Sequence, residues 1–178
     1  MEIDNLLPVK NRREWRNWLE ANCRTEKYCW INLSNDMSYL DAVEEALCFG
    51  WIDSTKKPSF QRFSPRTKKS NWTELNRERV RRLEKLGLMT EEGRKYLPNE
   101  DFEIHPEIMR ALKNDKETFA NFKKFPELYR RIRIDTIQSC LKRNEYELFN
   151  SRLKKFIENT KANKIFGLWN DDGRLLNY

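Results

Sequence analysis

Apolar residues recur every three or four positions through most of this chain, and short strand-like runs break that rhythm only between residues 28 and 64. Asn11 followed by Glu14 is a capping-box pattern, and Trp15, Trp18 and Leu19 behind it share one face of a first helix. Tyr28 to Leu33, aromatic and β-branched, predicts a strand. Ser38 with Asp41 opens a second helix whose Leu40, Val43, Leu47 and Gly50 lie in one apolar arc, with Gly50 placed to end it. Trp51 to Thr55 and Ser59 to Ser64 predict two strands joined at Lys56, Lys57 and Pro58, completing a small antiparallel sheet. Asn71 and Glu74 are expected to cap a third helix that stops at Gly87, and Thr90 with Glu91 starts a short one.

Beyond the polar stretch Leu97 to Glu103 the pattern is purely helical. His105-Pro106 starts one helix, Phe119 and Phe122 mark another, and Pro126 begins a third through Leu128, Tyr129, Ile132 and Ile137. Tyr146, Phe149, Leu153, Phe156 and Ile157 form a last long helix, and Phe166, Leu168 and Trp169 give the tail apolar groups with which to dock. The expected fold is α+β: a small antiparallel sheet of about three strands packed by helices, with a C-terminal helical extension. Residues 1–103 form the α+β domain, 104–160 a helical region packing on it, and 161–178 a tail.

Composition narrows the setting. A chain of 178 residues buries enough apolar surface to fold without staples. Its four cysteines, Cys23, Cys29, Cys48 and Cys140, make no C-x-x-C pair, which argues against a disulfide scaffold or a zinc ribbon. No secretory apolar region and no run of about 18 apolar residues occurs, so the expectation is a cytoplasmic protein without membrane insertion. Charge is more telling. Of a net +7, residues 56–82 carry ten cations against two anions, a surplus of eight, which leaves the remainder at −1. Such packing of positive charge suggests an anionic partner: a phosphate metabolite, single-stranded nucleic acid, or the protein's own acidic helix.

Three phrases then stand together: NRREWRNWLE at 11–20, DAVEEALCFGWIDS at 41–54 and QRFSPRTKKSNWTELNRERVRRLEKLGLMT at 61–90. In type and order they resemble the YdeI/OmpD-associated (OmdA) family of small bacterial proteins, also described as bacteriocin-protection proteins. FPELYRRIRIDTIQ at 125–138 resembles the helical C-terminal region of the same family. The resemblance covers most of residues 10–158 and leaves out the tail. It implies an association with resistance to cationic peptides and with an outer-membrane porin. A basic surface repels a cationic peptide, so direct capture of such a peptide is a poor mechanism for this chain.

Several groups are candidates for chemistry. Asp41, Glu44, Glu45 and Cys48 occupy one side of the second helix, either as a carboxylate cluster for metal or acid–base work, or as a face that is solvated or paired with the basic segment. Carboxylates beside Cys48 disfavour its thiolate. His105 is the single histidine, so a metal site or a histidine-dependent triad has almost no material, and no metal or other cofactor is expected. Arg79 projects from the middle of the arc made by Trp72, Leu75, Val80, Leu83 and Leu86, either paired to Asp53, Glu44 or Glu45, or facing a ligand. Arg62, Ser64, Arg66, Lys69 and Ser70, leading to a helix start near Trp72, have the makings of an anion site interleaved with the aromatic rings of Phe60, Phe63 and Trp72. The competing reading is that the aromatics are core and the cations solvated. Trp15, Trp18, Trp30 and Trp51 are expected in the core.

Two principal functions compete. One is a non-enzymatic binding protein, associated with stress or bacteriocin protection, that holds an anionic ligand through residues 56–82. The other is an enzyme with a pocket around Trp51, Asp53, Arg62 and Arg79, in which Asp53 acts as acid or base. A third, a protein-interaction module, requires an exposed apolar stripe on the C-terminal helices.

Overall fold

The computed structural model describes residues 2–34, 36–99 and 101–178. Among these, eight α-helices and a three-stranded antiparallel sheet make an α+β protein, about 49% helix and 11% strand. The order is α1 (Arg12–Asn22), β1 (Cys29–Asn32), α2 (Tyr39–Cys48), β2 (Trp51–Lys57), β3 (Phe60–Pro65), α3 (Glu74–Lys85), α4 (Glu91–Arg94), α5 (Pro106–Lys113), α6 (Lys116–Lys124), α7 (Glu127–Gln138), a 3-10 turn (Leu141–Arg143) and α8 (Tyr146–Lys161). The chain divides into two compact units, residues 1–72 with 76–99, and residues 73–75 with 100–178. The expected boundary at Leu97–Glu103 includes Glu100, which lies outside the described residues.

Local signals act as their chemistry dictates. The Asn11 side chain accepts from the Glu14 N–H at 3.0 Å, and the Glu14 carboxylate accepts from the Lys10 N–H at 2.8 Å, so two free donors at the start of α1 are satisfied. Ser38 caps α2 by accepting from the Asp41 N–H. Gly50 ends that helix with φ +72°, and a Cβ there would lie 2.8 Å from the Glu92 carbonyl oxygen, so both backbone and neighbours demand glycine.

The hairpin differs from the sequence expectation. Lys56 and Lys57 belong to β2, and the turn is Pro58-Ser59, with Ser59 at φ +62°. Proline fixes the first turn residue and a positive φ follows, the pattern of a type II turn. A register shift between Asp53 and Lys56 marks a bulge in β2. The strand order is β1-β3-β2, and residues 5–7 line the outer side of β1 through Leu7 N–H to Trp30 O and Trp30 N–H to Asn5 O.

Two further expectations are corrected. Asn71 does not cap α3; its carbonyl binds Arg66, and the Glu74 N–H donates to the Asp135 carboxylate at 3.0 Å. Leu168 does not dock but is 83% exposed, whereas Phe166 and Trp169 pack on the second unit's core.

In the first unit, Trp15 is the centre of the core. Its ring stacks on Trp18 at 5.5 Å and meets Phe63 at 5.4 Å, while its indole N–H donates to the Ala42 carbonyl at 3.0 Å. Register decides which face of the sheet these helices cover. Cys29, Phe63 and Asp53 are direct cross-strand partners and face α1 and α2; Trp30 with Arg62, and Ile52 with Ser64, face the other way. The second unit encloses its own core of Ile108, Leu112, Phe122, Tyr129, Ile134, Phe149 and Phe156.

Candidate functional site

The acidic side of α2 is buried and paired, not solvated. Glu44 is 0% and Glu45 2% exposed. Arg12 donates from Nε to Glu45 at 2.6 Å and from Nη1 to Glu44 at 3.0 Å and Asp41 at 3.1 Å. Arg16 donates to Glu45 at 2.7 Å, and Arg82 of the basic segment to Glu44 at 2.8 Å. Burial works against the charge on Arg12, but the hydrogen bond and charge of Glu45, with Glu44 and Asp41, outweigh it and raise its pKa. Burial, and then Glu45, pushes the Cys48 thiol up to about 12, so it stays protonated at neutral pH. Among the described residues no group of three His, Cys, Asp or Glu side chains is arranged to hold a metal ion.

The cations of residues 56–82 do not share one surface. Lys56 lies over the Tyr39 ring on the helix-covered face at 5.9 Å, and its neighbour Lys57 lies over the Trp30 ring on the opposite face at 5.6 Å. Arg62 sits 4.3 Å above the Tyr28 ring and donates to the Ser54 hydroxyl at 3.3 Å. Arg79 donates to Asn76 Oδ1 at 2.8 Å, and Arg81 pairs with Glu78 at 2.7 Å. Strand alternation and helix rotation thus scatter charges that are adjacent in sequence.

The residues of the expected enzyme pocket do not all lie on one side of the sheet. Trp51 is 1% exposed, its indole N–H donating to the Cys23 carbonyl at 3.1 Å and its ring edge meeting Trp18. Asp53 accepts from the Tyr39 hydroxyl at 2.8 Å on the helix-covered face, whereas Arg62 and Ser64 belong to the other.

One pair does come together. The Arg66 guanidinium lies 3.8 Å above the Trp72 ring and is 2% exposed. Its Nη1 donates to the Asn71 carbonyl at 3.0 Å, closing the loop that carries Lys68, Lys69 and Ser70. The Trp72 indole is fixed by its own hydrogen bond to the Tyr96 carbonyl at 2.8 Å. Arg66 Nε and Nη2 are buried with no acceptor. These two donors form the side-on fork with which arginine grips a carboxylate or phosphate. Burial brings the Arg66 pKa down to about 10, with the charge of Asp53 opposing the fall, so the group remains cationic at neutral pH. Within the loop, the Ser70 hydroxyl accepts from the Thr67 N–H at 2.9 Å, while Lys68 and Lys69 are exposed.

Sequence reasoning singled out Arg66 and Trp72 but missed Arg12 and Arg16, the partners of the acidic helix. The repeated RREWR spacing, cations at i and i+4 on one side of α1, was the available signal.

Residues 7–96 match the model of a family described as a domain of unknown function, DUF8412, and residues 101–163 match the family described as bacteriocin-protection, YdeI or OmpD-associated. The three N-terminal phrases lie in the first match, and FPELYRRIRIDTIQ lies in the second. Neither a curated protein nor a solved structure matches the chain. No helix among the described residues is long and apolar enough to cross a membrane.

Proposed function

The chain belongs to the DUF8412 family and carries in its C-terminal region an OmdA domain; from that premise we propose that its first unit is a non-enzymatic binding module for an anionic group. The group is gripped by the Nε/Nη2 fork of Arg66 against the Trp72 ring. The observation that carries this reading is the pair of buried donors left without acceptors, because each such donor costs about 1–3 kcal/mol, and more on a cation. An oxyanion seated there recovers that cost, and the ring beneath restrains the guanidinium. Lys68 and Lys69 raise the local concentration of anions from the exposed loop. Among ligands, phosphate metabolites and single-stranded nucleic acid both present the required group, and a base can stack where an aromatic ring is within reach.

We extend the bacteriocin-protection role in the second family's description to this chain, acting through an anionic ligand and not through capture of a cationic peptide.

The test is fluorescence titration of the full chain with pyrophosphate and with an oligothymidylate, at low and raised salt. Saturable quenching that weakens with salt, and that Arg66→Lys loses by keeping the charge but not the fork, is the expected result. Salt-independent binding, or binding that Arg66→Lys leaves intact, defeats the reading.

A further inference from the structure

We propose that a cavity in the second unit, separate from Arg66, is an oxyanion site for a phosphate or phosphomonoester group. The cavity measures about 190 Å³ and is lined by Arg133, Thr136, Ile137, Arg152, Lys155 and Phe166. Arg133, Thr136 and Ile137 are one turn of α7, and Arg152 with Lys155 is one turn of α8, so helical spacing aligns the residues on each helix and the packing of α7 on α8 brings three cations to one hollow. No acidic residue lines it.

The cations are held in place and not neutralised. Arg133 donates from Nη2 to the Leu168 carbonyl at 2.6 Å, and Arg152 donates from Nη1 to the Thr136 carbonyl at 2.7 Å. Arg133 and Lys155 lie over the Phe166 ring at 5.6 and 5.3 Å. Arg133 Nε is buried without an acceptor. Gly167 next to that ring has φ +72°, and a Cβ there would lie 2.6 Å from Arg133 Nη1, so the backbone gives way to the guanidinium. Glu145, whose carboxyl feels Arg152, is already gripped by Arg143 at 2.7 and 3.0 Å.

Other arginines of this chain have found carboxylates; Arg131, for one, pairs with Glu74 at 2.8 Å and Glu127 at 3.2 Å. Among the described residues, Arg133, Arg152 and Lys155 have no ion-pair partner. Three like charges around one half-enclosed hollow repel each other, and a multiply charged oxyanion reverses the sign of that interaction. At roughly 30 Å³ per water the hollow holds about six waters, room for a phosphate and a small substituent. Ile137 and Phe166 give the substituent an apolar wall.

Isothermal titration of the full chain with inorganic phosphate and with phenyl phosphate tests this site. Both should bind saturably at low salt, phenyl phosphate more tightly. Arg152→Met and Lys155→Met should each weaken binding about tenfold or more, as loss of one charge-assisted contact does. Lys155 is exposed and its ammonium makes no hydrogen bond or ion pair in the structure, only the contact with the Phe166 ring, so Lys155→Met folds even if an arginine variant does not. In the Arg66→Lys chain, which lacks the first unit's fork, one saturable site for both probes should remain and Lys155→Met should weaken it, which separates it from the first unit's site. Absence of saturable binding to either probe, or affinity untouched in Lys155→Met, overturns the proposal.

Discussion

Removing the carboxylate of Glu45 should destabilise the first unit more than its surface neighbours suggest. The group accepts from Arg12 at 2.6 Å and Arg16 at 2.7 Å, and its side chain is only 3% exposed. Unit charges about 4 Å apart attract by about 4 kcal/mol at an effective dielectric of ~20, but desolvation of a buried carboxylate cancels much of that gain. The cost of substitution comes chiefly from what is left behind. Arg12 retains Asp41 and Glu44; Arg16 retains no carboxylate, only the Leu88 carbonyl and the face of the Phe49 ring at 5.2 Å. Both arginines are about a third exposed and rehydrate in part. Glu45→Ala should therefore cost about 2–4 kcal/mol, below the range for a fully enclosed orphan charge. Glu45→Gln, which keeps one acceptor, should cost about 1–2 kcal/mol. Urea unfolding followed by tryptophan emission reports on this unit, because Trp15, Trp18, Trp30, Trp51 and Trp72 all lie in it. A double variant, Glu45→Leu with Arg16→Met, should lose less than Glu45→Ala alone. If Glu45→Ala falls within about 0.5 kcal/mol of wild type, or if the double variant is the worse, the claim that an abandoned arginine sets the cost is refuted.

Thiol labelling should divide the cysteines by burial. At pH 8 Cys23, half-buried, should react slowly, since burial and then Glu92 raise its pKa, whereas Cys29, Cys48 and Cys140 should react only in denaturant; native labelling of Cys48 contradicts this. Asp115 caps α6 through the Thr118 N–H and pairs with Lys161, and these bonds, in that order, bring its pKa from 3.8 to about 2. A depressed carboxylate contributes stability that is present above pH 3.8 and lost as pH falls towards 2. Asp115→Asn should flatten the stability profile across that window, measured by thermal melts between pH 2 and 5; an unchanged slope is the opposing result.

Elements were legible where a local rule is sufficient. Asn11, Ser38 and Thr90 cap their helices as their spacing indicates, because capping involves only residues three apart. The end of α2 at Gly50 and the start of α5 at His105-Pro106 obey the same logic. The site was less legible. Adjacent lysines look like one basic patch in sequence, but Lys56 and Lys57 are separated by the pleat, and a bulge precedes them. Arg66 beside Trp72 was within reach because the two are joined by one short loop. Three cations of the second cavity were not: Arg133 and Arg152 meet only when two helices pack, and no spacing rule links positions so far apart.

The arrangement of the sheet has a consequence for solubility. A row of unused backbone groups on an outer strand is a template on which a second chain can build, the first step towards fibrils. In this fold β1 is shielded along that side by residues 5–7, and β2, the other flank, is kinked by its bulge and studded with the exposed Ser54, Thr55 and Lys56. Part of the charge surplus in residues 56–82 therefore guards a flank against self-association, and stripping away the first seven residues would lay bare the opposite one.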